Sequence, residues 1–224
     1  DSLNTRYNLY GKDFLLIDTA GVRKKSRVRD NVEFYSVMRS IKALQDSDIC
    51  LVMIDATQGF ESQDMNLIAL ANRYRKGIIL LVNKWDLIEK DTSTADKFKK
   101  EINAKLGPLA FIPVLFISVL HKQRVFKVVE KIMEVYENRN RKISTSALNK
   151  ALLPLIEKHP PPAIKGKYIK IKYITQLPTP TPTIAFFCNF PRYIKVPYER
   201  FLINNLREHF NFSGVPVRVV FRNK

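Results

Sequence analysis

Two short runs in the 224-residue sequence place carboxylates where they could grip a charged small molecule: Asp18-Thr19-Ala20-Gly21 and Asn83-Lys84-Trp85-Asp86. Each closes an apolar stretch that reads as a strand, and ligand crevices of open α/β sheets form outside the carboxyl ends of strands. The Asp18 carboxylate suits Mg²⁺ held through water, and Gly21 lets a backbone N–H approach a terminal phosphate with no Cβ in the way. An isolated DxxG is equally at home in a turn, so its weight comes from the second run. There, the Asp86 carboxylate can accept both the ring N–H and the exocyclic amine of guanine. Adenine would leave it desolvated without those donors. Asn83 can bond the base or tie neighbouring loops together, and the Lys84 stem can cover one face of a ring. Trp85 reads as apolar cover with no catalytic role. A third run, Ser118-Val119-Leu120, also ends a strand and could offer backbone N–H groups to the guanine oxygen.

The elements that must carry these runs follow from apolar spacing. Arg6 to Leu9 and Phe14 to Ile17 flank a turn and predict a hairpin. Apolar positions three or four apart predict helices over Val32 to Leu44, around Met65 to Ala71, over Ala95 to Leu106 and over Phe126 to Tyr136. Ile49 to Ile54 and Ile78 to Val82 are continuous apolar runs, as parallel strands buried on both faces require, and Val114 to Ile117 predicts another strand. This alternation implies a doubly wound α/β sheet. Arg139-Asn140-Arg141-Lys142 reads as a link between domains 1–143 and 144–224. Beyond it, the order helix (Ser146 to Lys158), strand (Tyr168 to Thr175), strand (Ile184 to Asn189), helix (Tyr198 to Phe210), strand (Val217 to Phe221) predicts a small α+β domain. Pro178 to Pro182 reads as a stiff loop within it.

Charge is uneven. Residues 1–143 carry 25 Lys and Arg against 18 Asp and Glu, or +7, while 144–224 carry 13 against 3, or +10. The basic half points to a polyanionic partner. Lys165, Lys167, Lys170 and Lys172 bracket Tyr168 and Tyr173, with Arg192, Lys195, Arg200 and Arg207 further on; such a surface can meet phosphates while its aromatics stack on bases. Cys50 and Cys188 form no CxxC pair, and His121, His159 and His209 are scattered, so neither a disulfide framework nor a zinc site is expected. The histidines read as surface or packing residues. With no apolar run approaching the roughly 18 residues of a bilayer span, the expectation is a cytoplasmic monomer with no membrane partner. Asp1 is not expected to be the natural start.

DTAG, NKWD and SVL, following three strands in that order, resemble the third, fourth and fifth motifs of translation-factor-type GTPases. Asn4-Thr5-Arg6-Tyr7, the basic run after DTAG and the tail Gly214 to Arg222 further resemble the second G domain and C-terminal KH-like domain of the EngA/Der family. The resemblance implies a G-protein fold of the P-loop NTPase class, GTP/GDP and Mg²⁺ as ligands, and GTP hydrolysis. It also implies a role in maturing the large ribosomal subunit through rRNA and ribosomal proteins, with a further G domain upstream. It implies nucleotide contacts at Asp18, Thr19, Ala20, Gly21, Val22, Asn83, Lys84, Trp85, Asp86, Ser118, Val119 and Leu120, with Asp18 toward the metal. Two departures stand out. No GxxxxGK[ST] phosphate loop occurs, and the strand feeding it belongs in the middle of the sheet, so a longer protein is expected. Val22 stands where many small GTPases put a water-orienting glutamine, so no catalytic base is named. A guanine-nucleotide-sensing RNA-binding module with little hydrolysis of its own is the competing reading. The cations Arg23, Lys24, Lys25, Arg27 and Arg29 either meet RNA phosphates or form a solvated loop. No GxxG loop joins two helices, so the usual KH clamp is not expected.

Overall fold

The computed structural model describes residues 4–9, 11–18, 41–89, 91–164 and 166–223. Strands β1 (Asn4–Leu9) and β2 (Lys12–Ile17) form an antiparallel hairpin. Most of the helix read from Val32 to Leu44 lies outside the described residues; residues 41–46 are helical. Strand β3 (Ile49–Asp55) leads through helix α1 (Ser62–Arg73) to β4 (Gly77–Asn83), then through α2 (Thr94–Leu106) to β5 (Val114–Phe116) and α3 (Val125–Asn140). The three strands are parallel, in the order β3-β4-β5, and Asp55 lies opposite Asn83 in the register.

β4 explains the layering. Its side chains are buried from Gly77 to Val82. Alternation sends Ile78, Leu80 and Val82 into one core, with Ile68 of α1 and Ile102 and Leu106 of α2. Ile79 and Leu81 point into another, with Val128 and Val135 of α3. The expected α/β sheet with helices on both faces is therefore present.

The second layer is α+β, as expected. Helix α4 (Thr145–Lys158) is capped by the Ser144 hydroxyl, which accepts the Ala147 N–H at 3.2 Å. It precedes β6 (Ile171–Leu177), β7 (Thr183–Cys188), α5 (Val196–His209) and β8 (Arg218–Asn223). β6 and β7 are antiparallel, whereas α5 crosses over to set β8 parallel to β7. Leu148, Leu152, Ile184, Phe186, Leu202 and Leu206 fill its core.

A loop joins the two layers at the amino ends of the first sheet's strands. The Ile78 N–H donates to Gly214 O at 2.7 Å, and the Gly214 N–H donates to Phe111 O at 2.9 Å. Val215 is fully buried beside Ile79 and Val135. Asn138 Nδ2 donates to Ser213 O at 3.2 Å. Arg207 lies 3.8 Å from the Phe111 ring centroid and donates to Phe212 O and Val215 O, both at 2.8 Å. Burial lowers the Arg207 pKa to about 10, which still leaves it charged at neutral pH.

Two boundaries differ from the sequence reading. Arg139-Asn140, read as linker, completes α3, because Arg139 is 9% exposed and donates from Nη1 to Arg75 O. β6 starts at Ile171 instead of Tyr168, because the Lys170 N–H goes to the Asn189 side chain.

The hairpin and β3 do not pair. A groove of about 440 Å³ separates them, lined by Leu15, Leu16, Ile17, Ile49, Leu51 and Tyr136 among others. Leu51 and Met53 are 38% and 50% exposed, although their strand belongs to the sheet interior by composition.

Candidate functional site

The carboxyl ends of β3, β4 and β5 are joined by short-range bonds into one seam. The Ala56 N–H donates to Asn83 O at 2.9 Å, and the Trp85 N–H donates to Ile117 O at 3.0 Å. The Asn83 Oδ1 accepts the Val119 N–H at 3.0 Å, so Asn83 ties loops together across 36 residues of sequence. Of the two roles open to it, this is the one its side chain takes in the structure.

Lys84 adopts the left-handed conformation, φ 61°. A non-glycine residue there costs about 1 kcal/mol, which the surrounding bonds must offset. The turn sends the Lys84 ammonium to Asp55 Oδ2 at 2.7 Å, with the lysine side chain still 53% exposed. Asp55 Oδ1 also accepts the Thr57 N–H at 2.9 Å and the Thr57 hydroxyl at 2.7 Å. These donors, Lys84 foremost, hold the Asp55 pKa down to about 2. Because the folded value lies below the unfolded one, the stabilisation is present above the ordinary carboxylate range and is lost as pH falls toward 2.

Asp86 lies within a short 3₁₀ turn, Trp85–Leu87. The Trp85 indole is 5% exposed and turned inward, 4.3 Å from the Phe116 ring centroid and 5.5 Å from that of Phe98. Its side chain is therefore core, and the backbone is what it presents to the seam. The Asp86 carboxylate is 14% exposed, with Oδ2 3.7 Å from His121 Nε2. His121 was read as a surface or packing residue; it stands, half exposed, against the candidate base-recognition carboxylate.

Ser118 is fully buried, and its hydroxyl accepts the His121 N–H at 3.2 Å. The loop closes where the Gln123 N–H donates to Ser118 O at 2.9 Å. Lys122 and Arg124 in or beside it are left-handed, φ 54° and 59°. Val119 and Leu120 stand out at 50% and 81% exposed. The structure thus brings Asn83, Lys84, Trp85, Asp86, Ser118, Val119 and Leu120 together.

Asp18 directly follows β2 and is exposed, an oxygen donor of the kind Mg²⁺ takes. Thr19, Ala20, Gly21 and Val22 lie outside the described residues, as do Arg23 to Arg29 and Lys165. Asp55 is the site residue that sequence reasoning missed. A single Asp ending a strand has no signal until its partner on the next loop is seen.

The comparisons agree with the fold. Residues 2–138 match the elongation factor Tu GTP binding domain family, and residues 142–222 match the KH-domain-like family of EngA bacterial GTPase enzymes, C-terminal. A protein named GTPase Der from Amoebophilus asiaticus is 62% identical over the whole chain, which covers 52% of that protein. A GTPase Der from Cytophaga hutchinsonii is 55% identical, again with 52% of its length covered. The chain spans about half the length of the curated relatives it matches. Among solved structures, Era in complex with MgGDPNP and nucleotides 1506–1542 of 16S ribosomal RNA aligns over the whole chain and 80% of Era. Its TM-score is 0.52 at 18% identity, a likeness of fold alone. With a doubly wound sheet, a KH-like domain and these matches along its whole length, the chain belongs to the EngA/Der family.

Proposed function

We propose that this chain is the guanine-nucleotide-binding switch domain (1–143) and basic KH-like domain (144–224) of a GTP-hydrolysing protein that acts in assembly of the large ribosomal subunit. The observation that carries the nucleotide reading is the seam: three strand ends bonded to one another, with the Asp86 carboxylate and the loop 118–121 side by side at its rim. Preorganised polar groups discriminate a base strongly because a wrong base leaves them unpaired. Asp86 would read the guanine edge, Asn83 would hold the loops, the Lys84 stem would cover the ring, and residues 118–120 would face the guanine oxygen. Thr19, Ala20, Gly21 and Val22 would sense the terminal phosphate. Mg²⁺, when bound, would neutralise phosphate charge, and Asp18 would hold it through water.

The groove between β2 and β3 fits a strand that carries the phosphate loop, and relatives twice as long supply room for it and for a further G domain upstream. Single-turnover hydrolysis of GTP by the full-length protein tests the reading. Loss of this site's share of the reaction on disabling it alone, with the upstream site still turning over, is the expected result. Tight GDP binding with no hydrolysis at this site would instead favour the sensing module.

The KH-like domain supplies an RNA-facing candidate surface. Lys167 Nζ lies 5.1 Å from the Phe190 ring centroid and 5.3 Å from that of Tyr193. Asn189 donates to Tyr168 O and accepts the Lys170 N–H, which brings Tyr168, 76% exposed, beside them. Cations flanking an exposed aromatic suit phosphate contact with base stacking, and rRNA with its ribosomal proteins in the cytoplasm is the partner we assign. No described helix is long and apolar enough to cross a membrane. The protein would act as a monomer. Replacing Lys170 and Arg192 by alanine should lower the slope of log affinity against log salt for large-subunit binding by about 1.5. An unchanged slope would remove this surface from the interface.

A further inference from the structure

Asp55 and Lys84 form an ion pair that no motif in the sequence announces. Asp55 ends β3 directly opposite Asn83, and the two loops are joined at the backbone by the Ala56 N–H to Asn83 O bond. Both carboxylate oxygens are committed, Oδ2 to Lys84 Nζ at 2.7 Å and Oδ1 to the amide and hydroxyl of Thr57. The carboxylate is 12% exposed, whereas the lysine it holds is 53% exposed. The ammonium is therefore fixed at its far end while the four-carbon stem remains open to solvent.

We propose that Asp55 is a positioning residue for the guanine nucleotide: by pinning the Lys84 ammonium, it keeps the lysine stem extended as a ready-made platform for one face of the base. The inference rests on the guanine-site reading given above. A free lysine gives up rotamer freedom when a ring settles on it. A lysine already pinned has lost that freedom before the ligand arrives, so the same contact contributes more to binding. The left-handed backbone at Lys84 supports the same role, because strain of this kind persists where a side chain must be aimed. The Asp55 carboxylate stays charged far below neutral pH, so the pin holds throughout the physiological range.

The test is dissociation of fluorescently labelled GDP from the full-length protein by stopped flow, with the kinetic phase abolished by Asp86→Asn taken to report this site. Asp55→Asn keeps an acceptor for Thr57 and removes the charge facing Lys84. It should speed that phase about 10-fold, and the double variant separates this from any lowering of the unfolding midpoint that loss of the ion pair brings. Lys84→Ala removes the stem itself and should speed the phase at least as much, and the double variant should be no faster than Lys84→Ala alone, as an effect acting wholly through Lys84 requires. If Asp55→Asn leaves the phase unchanged while Asp86→Asn abolishes it, the positioning role is wrong and the guanine site stands. Additive effects of the two variants would also overturn it, leaving Asp55 a fold-stabilising residue. If Asp86→Asn abolishes no phase, the guanine reading fails and the inference falls with it.

Discussion

Asp86→Asn is expected to weaken GDP and GTP binding at this site by at least about 100-fold while improving the binding of xanthine nucleotides. The carboxylate offers acceptors only, which match the two N–H groups on the guanine edge. A hydrogen bond to a charged group contributes about 1.5–3 kcal/mol; asparagine keeps one acceptor without its charge and sets an N–H against the exocyclic amine, so one bond is lost and the other weakened, about 3 kcal/mol together. An asparagine amide turns one acceptor into a donor, which suits the carbonyl that xanthine carries in place of the amine. Because Asp86 is only 14% exposed, water does not replace the lost contacts fully. Competition of GDP against XDP for the full-length protein reads the effect. Equal affinity of wild type and variant for GDP would place base recognition elsewhere.

The second large effect is expected at Gly214, at the amino end of β4 and so opposite the seam. Its φ is +73°, a conformation that β-branched residues rarely take, and a Cβ built there would lie 2.5 Å from Val135 Cγ2 and 3.1 Å from Ile78 O. Gly214→Val should therefore cost about 3 kcal/mol or more, from left-handed strain and overpacking together. The neighbouring atoms have little freedom to retreat, since Val135 is fully buried and Ile78 donates its own N–H to Gly214 O. The loss should appear in urea unfolding as a lower midpoint and as separation of one transition into two, when the basic layer comes away from the first sheet. A variant that unfolds in one transition at the wild-type midpoint would show that this loop does not fasten the layers.

Much of this architecture is legible in the residues, and the exceptions have physical reasons. The run Ile78 to Val82 announces a central strand because only burial on both faces tolerates five apolar residues in succession. Asn83 and Asp86 are legible because their types and spacing follow that strand. The end of α3 is not, since a basic run is normally a solvated one. Arg139 is instead drawn inward by a carbonyl, Arg75 O, from a distant turn. The start of β6 is hidden for a similar reason: the Asn189 side chain takes the Lys170 N–H that a strand partner would otherwise bind. The Asp55 to Lys84 pair and the stance of His121 against Asp86 depend on loops that meet only once three strands lie side by side.

The groove beside β3 bears on how the molecule behaves when handled. Among the described residues β3 is an edge strand with Leu51 and Met53 half-exposed, and Leu51 lines the groove with Leu15 and Leu16 of the hairpin. Natural sheets blunt such edges with lysines, prolines or bulges, and Ile49 to Ile54 contains none of them. A strand laid into the groove would both supply backbone partners to the sheet and cover this apolar margin. Left bare, such a margin is a template for joining chain to chain.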